Sequence, residues 1–254
     1  MSRIFSVINN KGGTGKTTTA LNLGAALAEL KKKVLLIDLD SQCNMSSALG
    51  IAEVENHIGT LMMGKCEFNE AVQMHKNIHL IPATDKLLEY EVMINTEPGR
   101  EYLLKECLEK VKDLYDYIII DCPPSLGIFS INSLVTANYF IVPMQTENFA
   151  FIGLDKILQV ADKVRKRLNP NLELAGIVLI RYTSRIKFSQ AVVSNIESNS
   201  LIGKKIFHTK VRQDINLMES SAFSQSIFEY APKSRGADDF IHLAKEIRKL
   251  YDEK

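Results

Sequence analysis

An apolar run, RIFSVIN at residues 3–9, passes without a break into NNKGGTGKTTT at 9–19 and then into an alanine- and leucine-rich stretch. This order constrains the chain more than any other feature. A buried strand, a glycine-rich loop and a helix in direct succession form a βα unit whose loop wraps an anion. The phosphate-loop pattern is G-x-x-x-x-G-K-[ST]. Gly15, Lys16 and Thr17 fit its end, but Asn10 stands where the first glycine belongs. Instead there is a glycine pair, Gly12 and Gly13, preceded by a second lysine, Lys11. Glycines let the backbone curl so that Gly12, Gly13, Thr14 and Gly15 turn N–H groups toward phosphate oxygens. The helix that follows adds its positive end. Lys16 is placed to reach the β- and γ-phosphates of ATP, the Thr17 hydroxyl to ligate Mg²⁺, and Thr18 to support the α-phosphate.

Further short apolar runs recur at 31–40, 77–83, 115–124, 138–144 and 172–181, with helical stretches expected over 17–30, 98–114, 125–137, 149–168, 187–199 and 235–251. The runs are continuous rather than alternating, as for parallel strands covered on both faces. The expectation is an α/β fold: a single doubly wound, mostly parallel sheet flanked by helices. The expected organisation is one domain over 1–254, with no repeat, no low-complexity tract and no room for an N-terminal helix-turn-helix module. Asp121 ends YIIID, and Asp38 and Asp40 end VLLIDLD. Carboxylates at the carboxyl ends of strands lie where open α/β sheets bind ligands. Asp121 suits a place near Mg²⁺. Alternation puts Asp38 and Asp40 on one side of the strand with Leu39 opposite, so one can order the metal shell while the other holds an attacking water.

Composition sets limits. The chain has 254 residues and a net charge of only +1, so it is no polycation. The charge is uneven, however. From Phe151 onward there are 18 Lys/Arg against 12 Asp/Glu, and up to Ala150 there are 13 against 18. Such asymmetry suits an anionic partner for the second half. The four cysteines, Cys43, Cys66, Cys107 and Cys122, form no C-x-x-C pair, which gives a metal or redox centre little support. No apolar run approaches the ~18 residues that span a bilayer. A reduced, cytoplasmic setting is expected.

Taken together, NNKGGTGKTTTALNLGAALA, VLLIDLDSQCNMSSALG, YIIIDCPPSLG, IVPMQTENFAFIGL and PKSRGADDFIHLAKEI resemble the ParA/Soj family of partition ATPases, part of the deviant Walker A, MinD-like group. The likeness runs nearly end to end and is weaker over 51–110. It implies a slow ATPase that uses ATP and Mg²⁺. It also implies an ATP-sandwich homodimer, in which Lys11 is the signature lysine that reaches the partner's phosphates and Gly12 lies at the close contact. Asp40 would position the hydrolytic water, with Asp38 near the metal. It further implies non-specific DNA binding, a ParB-like stimulating protein, and a nucleoid-associated cytoplasmic location without stable membrane association. Two departures remove no charge: Thr14 stands where valine is usual, and Ser41 where proline is.

For DNA, the candidates are Arg185, Lys187, Lys210, Arg212, Lys233 and Arg235. Arg181, Lys204, Lys205, Lys245, Arg248 and Lys249 add to the same basic half. Clustered cations suffice for phosphate contacts without base readout. Two arginines of the family's pattern fall on Gln213 and Asn216, which weakens this expectation relative to ATP binding. The alternative is a MinD-like or cargo-positioning ATPase acting on a membrane or a protein. The final helix, with Phe240, Leu243, Ala244, Ile247 and Leu250 on one stripe, reads more simply as packed on the core.

Overall fold

The computed structural model describes residues 2–51, 53–146, 150–183, 190–191, 193–194, 198 and 202–252. Each expected apolar run holds a strand. These are β1 (Arg3–Val7), β2 (Val34–Asp38), β4 (Ile78–Ile81), β5 (Tyr117–Asp121), β6 (Tyr139–Met144) and β7 (Glu173–Leu179). A short strand the sequence did not announce, β3 (Gln73–His75), joins them, and the sheet order is β3-β4-β2-β5-β1-β6-β7. All neighbours are parallel except β3 against β4. β3 carries no apolar run and its Met74 is exposed. It closes the sheet edge with polar side chains, so hydrophobic pattern could not reveal it.

The strands carry consecutive apolar residues because successive residues meet opposite core layers. Leu35, Ile37, Ile118 and Ile120 face one layer, and Val34, Leu36, Tyr117 and Ile119 the other. The second layer is covered by α1 (Lys16–Glu29) and by the last helix, Arg235–Tyr251, which contributes Phe240, Leu243, Ala244 and Ile247. The first layer is covered by α3 (Ile58–Met62), α5 (Leu87–Ile94), α6 (Leu103–Leu108), α7 (Ile128–Thr136) and α8 (Ala150–Arg167). Short helices α2 (Asn44–Ala48) and α4 (Phe68–Ala71) lie between them. After β7 come α9 (Asn216–Ala222) and α10 (Ile227–Tyr230), which makes Arg235–Tyr251 α11.

The helix expected over 98–114 is shorter than its pattern. Pro98 is followed by Gly99 at φ 67, so the chain turns there, and helix begins only at Leu103; a 3-10 turn, Lys112–Leu114, finishes the segment. The expected helix over 125–137 starts at Ile128, after an extended Gly127. Most of the helix expected over 187–199 lies outside the described residues.

Candidate functional site

The loop leaves the sheet centre, where β1 lies between β5 and β6. Asn9 pins the departure: its amide donates to Pro143 O at 2.7 Å and its Oδ1 accepts from Lys11 N at 3.0 Å. Gly13 and Gly15 take φ 72 and 78, a left-handed backbone that strains any side chain. A Cβ on Gly15 would also stand 2.1 Å from Ile180 Cδ1. Gln145 Nε2 donates to Gly13 O at 2.7 Å and steadies the curl. α1 starts with no side-chain cap and no acid in its first turn, so the helix's positive end opens onto the loop uncompensated.

The two lysines of the loop have different surroundings. Lys16 is buried, and its Nζ donates to Lys11 O at 3.3 Å, an oxygen that also accepts from Thr14 Oγ1 at 3.1 Å. It lines a cleft of ≈ 470 Å³ together with Gly12, Gly13, Gly15, Thr17 and Thr18. Asp40, Gln42, Asn44, Ser47, Ala48, Pro124, Arg181, Ser221 and Ala222 form the rest of the wall. Lys11 is exposed and is not part of that wall.

Strand register brings the carboxylates together. Asp38 pairs with Asp121, and Asp121 with Val7, all in the row just before the loop. Asp38 is fully buried; it accepts from Ser46 N at 2.9 Å, Ser46 Oγ at 2.7 Å and Asp40 N at 3.1 Å. Burial pushes its carboxyl up to about 6, against the pull of those donors. Asp121 is also fully buried, and neither of its oxygens accepts a hydrogen bond of good geometry. Burial, followed by the charge of Asp38, holds Asp121 well above the usual carboxylate range; nearby Thr17 and Lys16 pull the other way. Asp40 lies just past the strand, buried, and accepts from Gln42 N at 3.0 Å. Leu39 packs into the opposite layer.

Two adjacent buried acids, one with both oxygens unpartnered, make a place short of positive charge. Among the described residues no group of three His, Cys, Asp or Glu side chains forms a metal cage. Two carboxylates and the Thr17 hydroxyl beside a phosphate loop suit a cation that keeps several waters and shares a substrate's phosphates, as magnesium does. Cys122 offers no accessible ligand: it is buried against Ser6 Oγ at 3.3 Å, and burial pushes its thiol up to about 12.

Two residues of this neighbourhood were not singled out for it from the sequence. Ser46, on α2, anchors Asp38 and also accepts from Ala83 N at 3.0 Å; a lone serine six residues past Asp40 carries no motif. Arg181, read as one more cation of the basic half, takes φ 51 and lines the nucleotide cleft. Left-handed backbone at a non-glycine residue recurs at ligand sites.

The basic half is less uniform than its composition. Arg212 is committed to Asp238 and Asp239, with Nη2 at 3.1 and 2.7 Å from them. Lys210 Nζ stands 4.9 Å over the Tyr182 ring. Lys233 and Arg235 are exposed and line a surface groove of ≈ 590 Å³ that also holds Glu29 and Asp238. Lys204, Lys245 and Lys249 are exposed, and Arg248 is paired with Asp252. Arg185 and Lys187 lie outside the described residues.

A family profile described as AAA domain matches residues 2–174. The sporulation initiation inhibitor protein Soj of Bacillus subtilis is 38% identical over 251 residues, covering 97% of this chain and 98% of that protein. The chromosome-partitioning ATPase Soj of Treponema pallidum is 40% identical over 250 residues, covering 97% of each. The chain belongs to the ParA/Soj family of partition ATPases. Among solved structures, a Mycobacterium smegmatis protein described as a cobyrinic acid a,c-diamide synthase, with bound ATP analog and magnesium, superposes with TM-score 0.88 at 31% identity, covering 100% of this chain and 98% of that one. The septum site-determining protein MinD of Pyrococcus horikoshii, complexed with Mg-ADP, gives TM-score 0.79 at 28% identity, covering 98% and 97%. This ParA/Soj ATPase thus shares its seven-stranded sheet with the MinD-like P-loop group.

Proposed function

We propose that the protein is an ATP-driven DNA-partition switch. Two copies close face to face on ATP, the closed pair holds DNA through its basic half without reading sequence, and a ParB-like partner speeds a slow hydrolysis that releases it. The observation that carries this reading is the division between the two lysines. Lys16 serves its own cleft, whereas Lys11 is held by its backbone with its side chain outside that cleft. Gly12 points the same way. A Cβ there would meet nothing within 4 Å, and its φ is not in the left-handed range, so the chain's own packing does not require glycine. A close approach from outside does.

Within each copy, Lys16 exchanges the Lys11 carbonyl for the β- and γ-phosphates, and the loop N–H groups and the α1 terminus bind the remaining phosphate charge. Thr17, Asp121 and, at one remove, Asp38 would hold Mg²⁺, which would supply positive charge against the phosphates. Asp40, fixed by its bonds to Asp38 and Gln42, accepts a hydrogen bond from the attacking water. Lys11 of one copy reaches the γ-phosphate of the other, as an arginine finger does, and ties closure to the presence of that group.

For DNA, the exposed Lys233 and Arg235 and the half-buried Lys210 carry more weight than Arg212, whose charge is already met by two aspartates. The MinD-like alternative has a physical obstacle. To leave for a bilayer, α11 would strip Phe240, Leu243, Ala244 and Ile247 from the core. Among the described residues no helix is long and apolar enough to cross a membrane.

The test uses Asp40→Ala with random-sequence duplex DNA, in ATP and in ADP, across a salt series. Expected are retained ATP, accumulated dimer, and DNA binding in ATP only, weakening steeply with salt. Dimer without DNA binding at low salt would transfer the role to a protein or membrane cargo. Normal hydrolysis by Asp40→Ala would remove Asp40 from its role.

A further inference from the structure

The side chain of Thr14 has no task in holding the nucleotide. Of residues 12–18, all but Thr14 line the cleft. Thr14 is buried, seated between two glycines held at φ 72 and 78. Its hydroxyl turns back along the chain and donates to Lys11 O at 3.1 Å. A buried hydroxyl needs such a partner. Valine, the residue usual in the family's pattern, fills about the same space with no proton to donate.

This bond bears on both lysines of the loop. The Lys11 carbonyl accepts from Thr14 Oγ1 and, at 3.3 Å, from Lys16 Nζ. Lys16 is a donor that ATP draws away, because phosphate oxygens carry charge and a carbonyl does not. Thr14 is a donor that stays. On the other side of the residue, Lys11 N donates to Asn9 Oδ1 at 3.0 Å, and Asn9 is tied to Pro143 O of β6 at 2.7 Å. Lys11 is therefore fixed at its N–H through the sheet and at its C=O through Thr14. The peptide unit is planar and trans, so a C=O held on one side sets the Gly12 N–H on the opposite side. Without the hydroxyl, departure of Lys16 loosens the peptide that carries both the root of the Lys11 side chain and Gly12.

We propose that Thr14 is a positioning residue for the chemistry between copies. Its hydroxyl holds the Lys11 peptide in place once Lys16 has moved to the phosphates, and so keeps Lys11 and Gly12 set for the partner copy. This rests on the reading of Lys11 given above. The side chain touches no nucleotide, so loss of its bond acts on closure and turnover and little on the binding of ATP by one chain. Misplacing a reacting group by about 1 Å costs up to about 100-fold in rate, and one neutral hydrogen bond carries about tenfold or less, which sets the scale.

The test compares Thr14→Val, which keeps the shape and removes the hydroxyl, with Thr14→Ser, which keeps the hydroxyl. ATP affinity, ATP-dependent dimer formation by light scattering, and phosphate release are measured on the full chain with magnesium, and melts of the empty protein check folding. Thr14→Val is expected to lower kcat and dimer affinity about tenfold while ATP affinity stays within about threefold, and Thr14→Ser to recover turnover to within about threefold of wild type. In a Lys11→Ala background the Thr14→Val change is expected to lower the residual turnover no further, because both act through one group. If Thr14→Val does not fold, Thr14→Ala is read in its place. Wild-type kcat and dimer affinity without the hydroxyl overturn the inference, as does serine that fails to rescue. A further fall in the Lys11→Ala background overturns it, because Thr14 then acts elsewhere. A fall in ATP affinity that matches the fall in turnover overturns it too, because the hydroxyl then serves its own cleft. Lost turnover in Lys11→Ala beside normal turnover in Thr14→Val sinks this inference and leaves the reading of Lys11 intact. Wild-type turnover in Lys11→Ala sinks that reading, and the role of Thr14 with it.

Discussion

The two ends of the sheet are made from the same strands and treat charge in opposite ways. At the amino end, Asp252 is met by Lys32 at 3.1 Å and Arg248 at 3.2 Å, accepts from the Tyr117 hydroxyl, and has Arg3 3.5 Å away. Arg3 also bonds the carbonyl of Tyr251 and so holds the end of α11 to β1. At the carboxyl end, Asp121 is buried with both oxygens unpartnered beside Asp38, and α1 begins uncapped. One end satisfies its polar groups and fastens the last helix. The other leaves them unsatisfied, and an unsatisfied buried charge persists in a stable fold when a ligand supplies its partner. The contrast separates structure from function without reference to any relative.

The largest effect expected at the carboxyl end comes from Lys16→Ala. Loss of this buried cation from the cleft should lower ATP affinity at least ~100-fold, as a charge-assisted contact to phosphate of a few kcal/mol implies. Titration with a fluorescent ATP analogue measures it, and retention of wild-type affinity would remove Lys16 from the site. Asp121→Asn tests the contrast more sharply because its two consequences have opposite signs. Magnesium-dependent turnover should fall about 100-fold or more. Without nucleotide or magnesium the variant should be more stable than wild type by about 1 kcal/mol, since an unpartnered charge beside Asp38 is gone. Paired denaturant melts and turnover assays check both. A variant that is less stable when empty would show that Asp121 is a structural residue.

How much of this was legible in the sequence follows from the same physics. Six strands were readable because their middles are covered on both faces and so carry apolar residues at consecutive positions; β3, at the edge, needed no apolar run and left no signal. The phosphate loop was readable because Gly13 and Gly15 satisfy a backbone demand that few residues meet. Asp38 and Asp121 could be placed at strand ends, but not side by side, since register between β2 and β5 is a tertiary fact. Ser46 as the anchor of Asp38, and Arg181 as a cleft residue, were illegible for the same reason. Composition counted Arg212 among the cations of the basic half, although Asp238 and Asp239, 26 and 27 residues further on, fold back onto it. Charge counting sees residues and not pairs.

The amino end predicts effects of the reverse kind. Asp252→Ala leaves Lys32, Arg248 and the Tyr117 hydroxyl without their shared acceptor. It should cost about 1–2 kcal/mol of stability and leave turnover per folded molecule unchanged. A turnover change as large as that of Asp121→Asn would erase the distinction between the ends.

The smallest effect is one of pH, at the edge hairpin. Glu229 on α10 takes a 2.7 Å bond from Lys76 and lies 3.1 Å from His75 Nε2, which ties β3 to the helix layer. Burial raises its pKa, but Lys76, the Ser226 N–H and hydroxyl, and His75 outweigh burial and hold the carboxyl at about 2. A carboxyl depressed in the folded state contributes stability that is full above its unfolded value and is lost as pH falls through the folded one. The stability gap between wild type and Glu229→Gln should therefore be constant above about pH 4.5 and shrink as pH falls toward 2. Solvent reaches this cluster, so the full gap should be only about 1 kcal/mol. Thermal melts at pH 7, 5 and 3.5 measure it. A gap that widens as pH falls would mean that protonated His75, and not the Glu229 carboxylate, carries the attachment of the edge.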